Sequence, residues 1–250
     1  MESGLNDWHS APEFLELPIN QVHVWRVGLD LPSERIDSLT SVLPPKDRAR
    51  AERFHFEKHR IRYVTGRYVL RLILARYLGI DPEDVSFRYS DRGKPSLTGT
   101  QEKISFNMSD SNDIALFAFV RDRSLGVDLE YVRSLSDFDE LLEVAFTPRE
   151  CVLIRSLPKN ERQRAFFGGW TAKEAALKAT GEGAAGLQKV EVILDANESG
   201  IVMGVRGLSS FRMDQWVVQM LEPASGYVGA VVTEGTPASY STFALDLEIR

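Results

Sequence analysis

The chain has one cysteine in 250 residues. A lone thiol excludes any internal disulfide and any cysteine cage for zinc, which agrees with a reducing compartment. Cys151 has no local support as a nucleophile and reads as a packed or surface thiol. No run of 18 apolar residues is present to span a membrane, and the opening MESGLNDWHS has neither the basic start nor the apolar stretch of a secretory leader. A cytoplasmic location without membrane association is the expectation. Exact repeats and low-complexity segments are also missing. A positive balance is lacking too: the net charge of −6 argues against general nucleic-acid binding.

What is present is an ordinary globular composition. With 43% hydrophobic residues the chain can bury a sizeable core as one large domain or two small halves. Its charge is uneven. From Lys46 to Arg76 ten basic residues (Lys46, Arg48, Arg50, Arg53, Lys58, Arg60, Arg62, Arg67, Arg71, Arg76) face three acids, a local charge of +7, and the remainder carries −13. A basic island in an acidic protein points to a polyanionic ligand held at one place, with a solvated helix face as the plain alternative.

Hydrophobic spacing divides the chain into elements. VHVWRVGL (22–29) has strand composition, and the next segment reads as a helix broken at Pro44 and Pro45. Glu57 to Leu78 is the longest helical pattern, with Ile61, Val64, Tyr68, Leu72 and Ala75 as its expected buried stripe, ended by Gly79 and Pro82. ISFNMS, DIALFAFV and LGVDLEYV read as three strands of an antiparallel meander. The second half repeats the plan. Helical segments lie within 137–157, a long helix runs from about Glu161 to Ala179, and KVEVIL, QWVVQML and YVGAVVT read as strands before a polar tail after Gly235.

Two motifs mislead. HFEKH puts His55 and His59 at the spacing of helical zinc ligands, but the glutamate beside the first histidine is missing and the surroundings are basic. GEGAAG (181–186) has the letters of a dinucleotide fingerprint, yet it follows a helix and precedes a strand, so helix termination at Gly181 explains it better.

Two other stretches carry chemistry. In LGVDLEY (125–131) strand alternation puts Asp128 and Glu130 on one face, with Val127, Leu129 and Tyr131 on the other. In WTAKEAALK, Trp170, Glu174 and Lys178 form one line on a helix, with Lys173 flanking. Alone, the helix reads better as a plain surface ion pair, since such pairs are common and weak. Joined to the strand, Asp128, Glu130 and Glu174 make an oxygen-only set of the kind Mg²⁺ accepts while bridging phosphates.

These stretches, with RGKP (92–95) and FNMSDS (106–111) before them, resemble the surfactin-type 4′-phosphopantetheinyl transferases, in order from about residue 50 to 190, and WTAKEAALKATGEG with GRYVLRLILARYLG is most similar to cyanobacterial members. The resemblance implies an α+β fold of two pseudo-twofold-related halves. Each would be a long helix on a small, mainly antiparallel sheet, with the active site between them. Residues 1–123 would supply coenzyme A nucleotide and phosphate contacts, and 124–250 the metal site and carrier docking. It implies transfer of the phosphopantetheine arm of coenzyme A to a serine of an apo acyl or peptidyl carrier protein, with release of adenosine 3′,5′-bisphosphate, in a monomeric enzyme. Asp128, Glu130 and Glu174 would hold Mg²⁺. Lys58, Arg62, Lys94, Asn107, Ser109, Asp110, Lys173 and Lys178 would face the coenzyme, and Glu174 and Lys178 would be catalytic, Glu174 either as base or through a water on the metal.

Asp110 departs from the pattern, because the family has a histidine there that approaches the 3′-phosphate of coenzyme A. That leaves a second reading, a coenzyme A- or carrier-binding protein with weakened catalysis. A third, a Mg²⁺-dependent phosphohydrolase, lacks a water-positioning constellation. Carrier docking is expected between Leu142 and Trp170, through Phe166 or Phe167 and Arg149, Arg162 and Arg164.

Overall fold

The structure is a computed structural model that describes residues 7–99, 103–181, 184–194, 202–206, 216–235 and 239–247. Among the described residues twelve strands run in chain order: β1 (His9–Ser10), β2 (Gln21–Gly28), β3 (Phe87–Tyr89), β4 (Pro95–Leu97), β5 (Ile104–Ser111), β6 (Ile114–Arg121), β7 (Leu125–Tyr131), β8 (Glu191–Leu194), β9 (Val202–Arg206), β10 (Trp216–Leu221), β11 (Tyr227–Glu234) and β12 (Ser239–Leu245). The α-helices among the same residues are α1 (Ile36–Val42), α2 (Pro45–Ala51), α3 (Glu57–Leu78), α4 (Phe138–Ala145), α5 (Pro148–Ser156) and α6 (Lys159–Thr180). The class is α+β.

The core forms in layers. One sheet has the order β1-β12-β2-β6-β5, and another the order β10-β11-β7. Helix α3 covers the first sheet, burying Val69, Leu70, Ile73 and Leu74 against Trp25, Phe106, Phe117 and Phe119. Helix α6 covers the second with Ala172, Ala175, Ala176 and Ala179 against Val228, Ala230 and Val232. Between the sheets, Val22, Val24, Leu116, Ala118 and Val120 meet Leu125, Val127, Leu129 and Val231. Strand β6 is therefore buried on both faces, with Phe117 and Phe119 turned to α3 and Leu116, Ala118 and Val120 turned to the other sheet. That is why its sequence is a continuous apolar run without alternation.

Both long helices end as their sequences require, at Gly79 (φ 66°) and Gly181 (φ 75°), in the left-handed region that glycine enters without a Cβ clash. Pro44 and Pro45 separate α1 from α2, with Pro45 at the first turn of α2.

Four expectations are corrected. Strand β7 pairs with β11 in the second sheet and does not continue the β5–β6 hairpin, so the meander ends at β6. The tail after Gly235 contains β12, which returns to the first sheet and runs parallel to both β1 and β2. The buried face of α3 is wider than the expected stripe, and Ile61, Tyr68 and Leu72 are only part-buried. Phe166 and Phe167 are core residues, at 2% and 4% exposure, and do not form a docking surface. Among the described residues no helix is long and apolar enough to cross a membrane.

Candidate active site

Strand β7 lies at the edge of its sheet, and side chains of β5 satisfy that edge. Asn107, Ser109 and Ser111 alternate along one face of β5 and reach across in turn. Val127 N–H donates to Asn107 Oδ1 (2.9 Å), Ser109 Oγ donates to Asp128 Oδ1 (2.8 Å), Ser111 Oγ donates to Glu130 Oε2 (3.1 Å), and Tyr131 N–H donates to Ser111 Oγ (3.0 Å). These bonds stand in for a backbone ladder and fix the β7 carboxylates relative to the first sheet. Asn107 and Ser109, expected to face the coenzyme, are used in this junction.

Helix α6 closes the corner from the other side. Gly126 makes the approach possible, since a Cβ there would lie 2.0 Å from Ala175 O and 2.5 Å from Ala179 N. Lys178 Nζ then donates to Asp128 Oδ1 (2.7 Å), Ser109 Oγ (2.9 Å) and Val127 O (3.3 Å). Glu174 and Lys178 line a small cavity of about 290 Å³ together with Lys94 and Asn107. Burial pushes the Glu174 carboxyl above the ordinary carboxylate range, with Asp128 adding to the rise and Lys178 opposing it. Burial and then Asp128 raise Glu130 likewise, against Ser111, Arg133 and Lys178. Asp110 is also raised, by burial first, and it feels Lys178, Arg62 and Asp128.

Among the described residues no three His, Cys, Asp or Glu side chains gather closely enough to hold a metal by themselves. Asp128 Oδ2 is nevertheless buried without a hydrogen-bond partner. An orphan carboxylate oxygen beside two carboxyls that are hard to ionise fits a hard cation that completes its shell with water and substrate oxygens. His55 and His59 make no such site and flank the Phe56 ring instead, at 4.9 and 5.7 Å.

Four of the expected coenzyme ligands are held by partners within the protein. Lys173 is wholly buried on the far side of α6, where Nζ donates to Glu150 Oε2 (2.7 Å), Ala145 O (3.0 Å) and Leu187 O (3.3 Å) and lies 4.6 Å from the Phe146 ring. No coenzyme reaches it, and its assignment as a cofactor ligand is corrected. Lys94 Nζ donates to the carbonyls of Lys178 (2.5 Å), Ala179 (3.1 Å) and Leu125 (3.5 Å). Lys58 and Arg62 both pair with Asp30, Arg62 in a two-pronged contact of 2.6 and 3.0 Å.

The open basic space is on the other side of the β3–β4 turn. A cleft of about 1110 Å³ is lined by Lys46, Arg50, Arg53 and Arg67 with the rings of Tyr63 and Tyr89. Lys46 lies 4.5 Å over the Tyr89 ring and Arg50 5.3 Å over Tyr63, while Arg67 bonds Asp47 and the Tyr89 hydroxyl. Of the basic island, Lys46, Arg50 and Arg53 line the cleft, whereas Arg67 is held by Asp47, and Arg60, Arg71 and Arg76 are held by Glu57 and Asp37, by loop carbonyls and by Pro12 O respectively.

Comparison with known proteins identifies the family. The family profile described as 4′-phosphopantetheinyl transferase superfamily matches residues 124–232, and the one described as 4′-phosphopantetheinyl transferase, N-terminal, matches residues 32–121. The chain is 40% identical to the 4′-phosphopantetheinyl transferase HetI of Nostoc sp. over 91% of its own length and 94% of that protein. It is 32% identical to a phosphopantetheinyl transferase of Thraustochytrium sp. over 71% of its length and 67% of the relative. To the 4′-phosphopantetheinyl transferase Sfp of Bacillus subtilis it is 26% identical, over 64% of its length and 70% of Sfp. The match to Nostoc bears out the likeness to cyanobacterial members. On the extent of that match, the chain belongs to the 4′-phosphopantetheinyl transferase superfamily.

Proposed function

We propose that the chain transfers the phosphopantetheine arm of coenzyme A to a serine of an apo carrier protein and releases adenosine 3′,5′-bisphosphate. The observation that carries this reading is the meeting of Asp128, Glu130, Glu174 and Lys178 at one corner, beside a basic cleft able to take the nucleotide end of coenzyme A. In the reaction the serine oxygen forms a bond to the β-phosphorus, the bond from that phosphorus to the bridging oxygen breaks, and the serine proton leaves to a base. Glu174, with its raised carboxyl, suits that proton. Lys178 is within reach of charge that develops on the departing phosphate, once it releases part of its hold on Asp128. The cations Lys46, Arg50 and Arg53 hold the nucleotide phosphates, while Arg67 stays tied to Asp47 in the cleft wall.

Asp128, Glu130 and Glu174 would hold Mg²⁺, and when bound it would neutralise phosphate charge. The two helix-on-sheet units are read as halves of a pseudo-twofold pair and the enzyme as a monomer. The single, buried, unpaired Cys151 supports a reducing, cytoplasmic setting. The test is incubation with coenzyme A, Mg²⁺ and a panel of apo carrier proteins from fatty acid, polyketide and peptide synthesis, followed by mass measurement of each carrier. Addition of the phosphopantetheine mass is expected. Coenzyme A binding without any transfer would favour the decayed-binder reading that Asp110 prompts.

A further inference from the structure

The basic cleft and the acid corner are two chambers with a shared wall, the turn between β3 and β4, whose Gly93 and Pro95 line both. Tyr89, at the start of the turn, faces the cleft beneath Lys46. Lys94, at its end, is anchored on the other side. An ammonium donates at most three hydrogen bonds, and here the three acceptors are the backbone carbonyls of Lys178, Ala179 and Leu125. Arg92 adds a bond to Gly181 O at 3.0 Å. A phosphate can reach Lys94 Nζ only if a carbonyl of the helix end lets go. Both cations sit at the negative end of the α6 dipole, where they complement the last unpaired carbonyls of the helix. The bond to Leu125 O adds the start of β7, the strand whose Gly126 rests on α6. Hairpin, catalytic helix and carboxylate strand thus converge on one ammonium.

We propose that Lys94, assisted by Arg92, is a positioning residue that acts through α6: it fastens the last turn of the helix, and with it Lys178 and Glu174, to the wall of the nucleotide cleft. Filling the cleft then steadies the two side chains at which transfer takes place. The inference rests on the transfer reaction proposed above.

Two measurements separate it from a direct role in coenzyme binding. The first is calorimetric binding of coenzyme A together with kcat and KM for transfer. The second is amide hydrogen exchange at residues 178–181 in the unliganded proteins. Lys94→Met is expected to bind coenzyme A within about twofold of wild type, to lose about tenfold or more in kcat at little-changed KM, and to exchange about tenfold faster at 178–181. Lys94→Arg should regain part of the lost kcat, and the milder Arg92→Ala should move both readouts in the same direction, which covers the case in which Lys94→Met is too unstable. Lys46→Met, on the cleft side, should weaken coenzyme binding and leave that exchange alone. A weaker Kd for coenzyme A in Lys94→Met with kcat and exchange unchanged would make Lys94 a coenzyme ligand and overturn the inference. Wild type that transfers nothing overturns the proposed reaction only, since the exchange comparison stands without it. Equal exchange in wild type, Lys94→Met and Arg92→Ala overturns the positioning role only.

Discussion

Helix α6 carries two lysine–carboxylate pairs of the same length on different sides, and their difference separates architecture from chemistry. Lys173 meets Glu150 at 2.7 Å, and Lys178 meets Asp128 at 2.7 Å. The first pair is sealed, with side chains 0% and 1% exposed, and the second opens to the cavity, with Lys178 29% exposed. Glu150 is also used on both oxygens. Oε2 takes the Thr147 N–H as part of a capping box that starts α5, and Oε1 takes the Val192 N–H of β8. Asp128 has one oxygen with two donors and one with none. A saturated pair can only hold elements together. A half-satisfied pair at a cavity can exchange partners when a cation or phosphate arrives.

Breaking the sealed pair should have the largest effect. Lys173→Met leaves the Glu150 charge buried with its neutralising partner gone, at a cost of about 3–5 kcal/mol in folding stability. Urea denaturation measures it, and adding Glu150→Gln should recover part of the loss, because two neutral groups of similar shape need no counter-charge. Protein that remains folded should keep its KM for coenzyme A. A loss confined to KM would return Lys173 to the coenzyme site.

The open corner should respond in the opposite manner. Glu174→Gln is expected to lower kcat by about a hundredfold or more, the usual scale for removing a general base, and to leave folding stability equal or higher. A carboxyl whose pKa is raised in the fold favours folding only while protonated, so that contribution is lost as pH rises through the raised pKa, and the ionised acid weighs against the fold at neutral pH. Near-normal turnover in this variant would sink the assignment of the corner.

An acid titration sharpens the contrast. In the first half, Trp25 Nε1–H donates to the Tyr77 hydroxyl, which bonds His23 Nδ1 at 2.8 Å, and the His23 ring is pushed down to about 4 by burial. Its unfolded value is about 6.5, so the unfolded chain binds a proton that the fold refuses, and stability falls as pH drops through that window by about 3 kcal/mol in all. Glu130 and Glu174 contribute with the reverse sign over the same fall. Glu174→Gln should therefore steepen the acid loss and His23→Gln should flatten it, both read from melting curves between pH 7 and 4. Parallel curves for all three proteins would remove the titration argument from both regions.

Much of this was legible in the primary structure, for local reasons. The long helices carry their own stops at Gly79 and Gly181, and the i, i+2 carboxylates of β7 need only strand alternation to share a face. Lys173 was legible too. Successive helix positions turn by about 100°, which sets Lys173 away from the Glu174–Lys178 line and toward the packed side with Gly169. The family pattern overrode that geometry. What local pattern could not supply was pairing across long separations. Strand β12 joins β2 from more than 200 residues away, and nothing within SYSTFAL names its partner. The lost meander has the same origin, since β7 could pair with its hairpin neighbour or with β11, and burial between the two sheets decided for the latter. The cleft cations were visible only as a count, because ten basic residues on two helices and the turn between them do not announce which will find an acid.

The smallest effect expected is at Asp110, where the chain departs from its family. The carboxyl lies on β5 within the fields of Arg62 and Lys178, both attractive to it, and of Asp128, which repels it. A phosphate about 4 Å away would be opposed by about 1 kcal/mol per charge pair in bulk water and about 4 at an effective dielectric near 20. The attraction of Arg62 and Lys178 for the same phosphate offsets part of that, so a value near the lower figure is expected, a factor of about five in affinity. Asp110→His should tighten coenzyme A binding by this factor, with the gain growing below pH 6.5 or so, where the imidazolium adds attraction to the lost repulsion. Dephospho-coenzyme A, which lacks the 3′-phosphate, should bind both proteins alike. Calorimetric titration of the two ligands into the two proteins checks each part. Equal affinity for coenzyme A would turn Asp110 away from the nucleotide, and an equal gain for both ligands would shift its influence to the pyrophosphate beside Lys178.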